Sequence, residues 1–150
     1  MAQGDVVLFD QFLEDIGRKL HQLETDTIKV GLVNNTTPPT ASTANPTWGA
    51  SGTTNYKALE VTPGGNYAAD GTDIAATYSQ TAGTATFDGV TNPTWAQHAS
   101  NPADAYWGIV YNDTATAKDC ICSVDLGGVF DMTTGDLTIT WAGGGIATMT

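Results

Sequence analysis

Between Ala105 and Leu126 the chain reads AYWGIVYNDTATAKDCICSVDL, two β-rich runs joined by the polar segment Asn112 to Lys118. Strand-like runs separated by such a linker predict an antiparallel hairpin with a longer loop. In the first run Ala105, Trp107, Ile109 and Tyr111 share one face and Tyr106, Gly108 and Val110 the other, because side chains alternate along a strand. Both faces are largely apolar and both need covering, which places the run at the centre of a sheet and not at its edge. In the second run Cys120, Cys122, Val124 and Leu126 are expected to face a core, with Ile121, Ser123 and Asp125 on a wetter side.

The remaining pattern fits around that hairpin. Phe9, Phe12, Leu13, Ile16, Leu20 and Leu23 recur at helical spacing and predict an amphipathic helix over about residues 5–23, with Asp5 as N-cap and Glu14–Arg18 and Asp15–Lys19 as i,i+4 pairs. Its apolar stripe serves either to cover a sheet or to dock on a partner. Thr27 to Val33 alternates as a strand, and Lys57 to Thr62, Ile74 to Tyr78, Thr84 to Phe87 and Asp136 to Trp141 are further candidates, the last closing the sheet before Gly143-Gly144-Gly145 breaks it. Asn-Pro-Thr-Trp occurs at both 45–48 and 92–95, which suggests a shared turn-then-strand role, with Trp95 starting a strand. Many short strands with turns between them predict a mainly β fold, an antiparallel sandwich or barrel-like sheet with one N-terminal helix. A length of 150 residues fits a single domain, 1–150. Asn34 to Asn55 is rich in Thr, Pro, Ser, Ala and Gly and has no period; it reads as an extended arm that a neighbouring subunit or the capsid orders and that is mobile in isolation.

Charge excludes several functions. Five basic residues face sixteen acidic ones, a net charge of -11, and nucleic-acid affinity needs the opposite sign. An anionic membrane surface is disfavoured for the same reason, and no apolar run approaches the roughly 20 residues of a membrane span. The first residues lack the positive segment of a secretion signal, so folding in the cytoplasm is expected.

The residues offer little chemistry. No nucleophile elbow, phosphate loop, dinucleotide fingerprint or zinc-protease helix is written in the chain, and neither a cofactor nor enzymatic activity is expected. Cys120 and Cys122 lie about 6.5 to 7 Å apart if both are on one strand, at the outer limit for a disulfide. They read as buried free thiols, since two ligands do not make a zinc site and neither His21 nor His98 completes a zinc pattern. Asp70 and Asp73 in ADGTD resemble part of a calcium loop without its further ligands, and a solvated turn is the simpler reading. Paired carboxylates suited to glycoside hydrolysis cannot be matched among the scattered acids. Trp48, Trp95 and Tyr56 remain as candidates to stack on sugars.

The order of features carries a resemblance. An amphipathic N-terminal segment, the strand TIKVGLVNNTTP, a Thr/Gly-rich middle, then YWGIVYNDTATAKDCICSVDLGG and GDLTITW resemble small β-rich virion structural proteins of tailed bacteriophages, chiefly over residues 6–36 and 105–141. The resemblance implies a capsid decoration (cement) protein on the outer surface of the head, bound to the major capsid protein and to copies of itself, as a homotrimer. Pro38, Pro39, Trp48, Tyr56 and Trp95 are then the candidate contact residues. The alternatives are a tail or tail-fibre structural protein, and a glycan- or receptor-binding module on the virion.

Overall fold

The computed structural model describes residues 3–150. Its elements are β1 (Val6–Leu8), α1 (Asp10–Gly17), β2 (Ile28–Val33), β3 (Pro46–Thr47), β4 (Thr54–Asn55), a 3-10 turn (Tyr56–Leu59), β5 (Thr72–Asp73), β6 (Ala76–Thr81), β7 (Thr84–Gly89), β8 (Thr94–Trp95), β9 (Ala105–Asn112), β10 (Cys120–Phe130), β11 (Leu137–Thr138) and β12 (Ala147–Met149). The predicted hairpin is β9 and β10, and β9 is the middle strand of an open antiparallel sheet ordered β1-β10-β9-β2-β5. The fold is mainly β, as the turn-rich alternation predicts, with one α-helix and no closed barrel among the described residues.

The two apolar faces of β9 carry two separate cores. Val110, with Ile28, Val30 and Leu32 of β2, belongs to a large cluster roofed by Phe87, Trp95, Leu137, Ile139 and Trp141. These roofing residues come from or adjoin the small antiparallel sheets β12-β7-β6 and β11-β8, which lie over the main sheet in the manner of a sandwich. On the opposite face Ile109, Tyr111, Cys120 and Val33 pack with Phe9, Trp48 and Tyr56.

The helix is shorter than its periodicity predicts. Val6–Leu8 forms an edge strand, with Val6 opposite Val124 and Leu8 opposite Cys122, where Val6 and Leu8 pack against the larger core. Phe9, not Asp5, occupies the N-cap position, without a side-chain cap. At the other end Lys19 turns left-handed (φ 61), and Lys19 N–H to Ile16 O and Leu20 N–H to Asp15 O close a Schellman stop. Leu13 and Leu20 are consequently exposed. Glu14 pairs with Arg18, but Asp15 accepts from Gln11 at 2.9 Å because Lys19 has left the helix.

Three strand expectations also change. Tyr56–Leu59 winds into the 3-10 turn, and only Glu60 bridges to the sheet, at Val33. Residues 137–141 alternate inward and outward as expected, yet only Leu137–Thr138 pairs, with Trp95 and Thr94 and not with the main sheet. After the glycines the chain returns as β12 on β7. The register of β10 shifts between Cys120 and Cys122. This bulge puts Cys120 in one core and Ile121 and Cys122 in the other, so the expected shared Cys face does not exist. Both thiols are free and buried.

The expected arm, residues 34–55, lies folded onto the sheet. Ala41 O accepts from Asp10 N–H at 2.8 Å, Trp48 N–H donates to Lys118 O at 2.8 Å, and Asn34 N–H donates to Leu59 O at 3.1 Å. Within it Pro46–Thr47 pairs in parallel with Thr54–Asn55. Both Asn-Pro-Thr-Trp copies enter a two-residue strand and bury their tryptophan.

Candidate functional site

Trp48 fastens the 34–55 segment to the central strand. Its indole lies flat on Tyr111, centroids 4.8 Å apart and planes 7° from parallel, and the residue is 1% exposed. Gly31 on β2 makes room: a Cβ there would stand 2.2 Å from the edge of the indole. The indole N–H, which needs an acceptor when buried, donates to Asp70 Oδ1 at 2.8 Å.

Asp70 is the centre of a polar node. Lys57 Nζ bridges it at 2.7 Å and Glu60 at 2.6 Å, while Tyr111 donates its hydroxyl to the Asp70 carbonyl at 2.8 Å. Glu60 Oε1 accepts from Asp70 N–H at 2.6 Å and from the Tyr67 hydroxyl at 3.0 Å, and that hydroxyl accepts from Leu32 N–H at 2.9 Å. The Lys57 hydrogen bond holds the Asp70 carboxyl below its usual range, against the opposing effect of burial. Burial works against the charge on Lys57, but the hydrogen bonds it donates to Asp70 and Glu60 outweigh this and raise its pKa. Burial pushes the phenols of Tyr67 and Tyr111 far up, so both stay protonated donors. The turn at Asp70 is half-exposed, as a solvated turn would be, and is also a structural junction. No cluster of three or more ligating side chains suited to a metal occurs among the described residues.

A second polar cluster lies where the end of α1 meets the β9–β10 loop. Asn112 accepts at Oδ1 from Thr114 and Ala115 N–H, at 3.0 and 3.1 Å, and donates from Nδ2 to Asp26 at 2.6 Å. Those partners fix the orientation of its amide. His21 Nδ1, 3.2 Å from Asn112 Nδ2, must then accept, which leaves the ring proton on Nε2. Asp15 and Asp119 are buried nearby, and Asp15 Oδ2 and His21 Nε2 have no hydrogen-bond partner. Burial lowers the His21 pKa despite the pull of Asp15, Asp119 and Asp26, and burial with Asp15 raises that of Asp119. Shallow depressions of 280 and 340 Å³ open on either side, the first beside His21 and Tyr78, the second beside Asp26 and Asp119. Burial also raises the pKa of Cys120 and Cys122, so neither is an activated nucleophile.

Of the five candidate contact residues, only Pro38 is exposed; Pro39, Trp48, Tyr56 and Trp95 are buried. Trp48 and Tyr56 meet in the smaller core, whereas Trp95 packs on Tyr67 in the larger one, 5.9 Å between centroids. The aromatic rings are anchors because they supply the apolar area that a Thr- and Gly-rich segment lacks. Outward stands the uncharged run Asn35-Thr36-Thr37-Pro38, exposed throughout and tied to the central strand by Trp107 Nε1–H donating to Asn35 Oδ1 at 3.0 Å. Periodicity does not signal this turn, although its position directly after β2 does. No family model matches the sequence, and no curated protein or solved structure matches it.

Proposed function

We propose that the protein is a non-enzymatic virion component that decorates the outer surface of a tailed-phage head, binds the major capsid protein and stabilises the shell. The observation that carries this reading is the exposed, charge-free turn Asn35–Pro38 hydrogen-bonded to Trp107 of the central strand. A presented turn suits adhesion, since its backbone and hydroxyls offer hydrogen bonds while its support has already lost its conformational freedom. The charge of -11 suits the outside of a DNA-filled shell better than its lining, and the likeness of residues 6–36 and 105–141 to phage structural proteins points the same way. The threefold stoichiometry rests on that likeness alone. It would multiply weak contacts at capsomer junctions. The glycan-binding alternative loses its platforms, because Trp48, Tyr56 and Trp95 are occupied inside the fold.

The test is to locate the protein in purified particles of a phage that encodes it, and to compare the heat and chelator resistance of heads with and without it. Heads lacking it should fail at lower temperature, and adding back the wild-type protein should restore them. A version with Thr36, Thr37 and Pro38 replaced by Gly, Ser and Gly should stay folded and fail to restore. Finding the protein confined to tails, or never in particles, would overturn the reading.

A further inference from the structure

The strand β6 is the outer edge of the β12-β7-β6 sheet. It is six residues long, ATYSQT, and exposed from Thr77 to Thr81. The other edge strands among the described residues are short, none longer than three residues. Long edges are commonly protected by charge, proline or a bulge, and β6 has none of these. No charged residue lies between Asp73 and Asp88 or beyond Asp136, so Asp88 on the middle strand is the only charge in this three-stranded sheet.

The hairpin geometry says which backbone groups are free. Thr81 and Thr84 flank the two-residue turn Ala82-Gly83, whose φ angles of 50° and 89° are those of a type I′ turn. The closing pair of such a hairpin is hydrogen-bonded, so bonding to β7 alternates back through Thr81, Ser79 and Thr77. The N–H and C=O groups of Tyr78 and Gln80 therefore point away from β7, toward the open edge.

We propose that β6 is a self-association edge, on which the β6 of a second copy pairs antiparallel about a twofold axis at Ser79. Tyr78 then stands opposite Gln80 of the second copy, and Gln80 opposite its Tyr78, each pair exchanging N–H···O bonds in both directions. Ser79 meets Ser79 of the second copy in the non-bonded position between them. The occupant follows from charge. Two copies at -11 repel wherever their acidic surfaces meet, and the β12-β7-β6 sheet, whose edge strand β6 is uncharged and whose single charge is Asp88 on the middle strand, lets them approach. The strand is also complementary to itself in this register, which places no like charges opposite one another and no proline against a donor. This twofold contact is separate from a threefold arrangement on a capsid and does not depend on the decoration reading.

Cysteine cross-linking tests the register. Residues opposite one another in a non-bonded antiparallel pair have Cα atoms about 4.5 Å apart, within disulfide reach. Ser79→Cys should cross-link into a dimer at least about tenfold faster than Gln80→Cys under mild oxidation, since position 80 faces position 78 of the second copy. The native Cys120 and Cys122 are buried and do not compete. In sedimentation equilibrium the wild type should dimerise as its concentration is raised, and Ser79→Asp, which opposes two charges on the axis, should stay monomeric with an unchanged circular dichroism spectrum. A wild type that remains monomeric to millimolar concentration, or equal cross-linking at 79 and 80, would overturn the proposal. So would a dimer that Ser79→Asp leaves intact, or an edge that pairs with capsid protein and never with itself.

Discussion

The indole of Trp48 rests face to face on the phenol of Tyr111, 4.8 Å between centroids, over a position where β2 carries Gly31. Residues far apart in sequence thus build one seat: the strand supplies the floor, a glycine the space and the loop the ring.

Trp48→Ala should destabilise the protein by about 3–5 kcal/mol, as expected for emptying a buried Trp site. Gly31→Ala should act in the same direction by displacing the indole. Urea midpoints measure both, and a Trp48→Ala protein with the wild-type midpoint would mean that the seat contributes nothing. Deleting residues 34–55 should abolish cooperative unfolding, the opposite of what a detachable arm would do.

Asp70 makes acid stability predictable in sign. Its folded pKa lies below the ordinary 3.8, so its contribution is present above that value and is lost as pH falls through the folded pKa. Asp70→Asn should weaken the protein at about pH 6 and flatten the further loss between about pH 4 and pH 2. Denaturant titrations of both proteins at each pH measure the difference. Asp113, bridged by Lys29 at 2.9 Å and Lys118 at 2.5 Å, contributes with the same sign, and part of the slope should therefore survive the substitution.

His21 works in a higher window. Its folded pKa is below 6.5, so the stability it contributes is present above about 6.5 and is lost as pH falls through the lower, folded value. Asp119 has the opposite sign: its pKa is raised above 3.8, and its contribution is lost as pH rises through that raised value. Nitrogen-detected NMR should find the His21 proton on Nε2 near neutrality, and a titration midpoint below 6.5. A proton on Nδ1 would contradict the hydrogen-bond pattern around Asn112. Protonating Nδ1 points a donor at the Asn112 amide, so acid should also loosen the 113–118 turn.

Cys120 and Cys122 should resist thiol reagents in the folded protein and react fully on unfolding, because burial keeps both as neutral thiols. A native thiol that reacts at the rate of a small-molecule thiol would mean that its core opens readily.

How much of this is legible in the sequence depends on the range of each contact. The β9–β10 hairpin is legible because alternation, a polar turn and apolar character on both faces all agree over adjacent residues. Val6–Leu8 is not, because a three-residue apolar run just before a helical stripe fits either period, and only its partners at Cys122–Val124 decide. The bulge after Cys120 has no local signature. Helix termination at Lys19 is hidden because a lysine takes the left-handed position where glycine is usual. The 34–55 segment lacks periodicity because it is anchored by a few rings, and the space for Trp48 is written at Gly31. Its exposed turn is legible as a polar run directly after β2, not as a presented surface.

The strand order has a consequence for synthesis. Residues 6–8 leave the ribosome long before their partners at 122–124 exist, and β2 likewise waits for 107–112. The main sheet therefore closes only when the β9–β10 hairpin has emerged, so until then the nascent chain must remain soluble with Phe9, Trp48 and the apolar face of β2 uncovered. Its abundance of Thr, Asn and Gly and its scarcity of long apolar runs suit that interval.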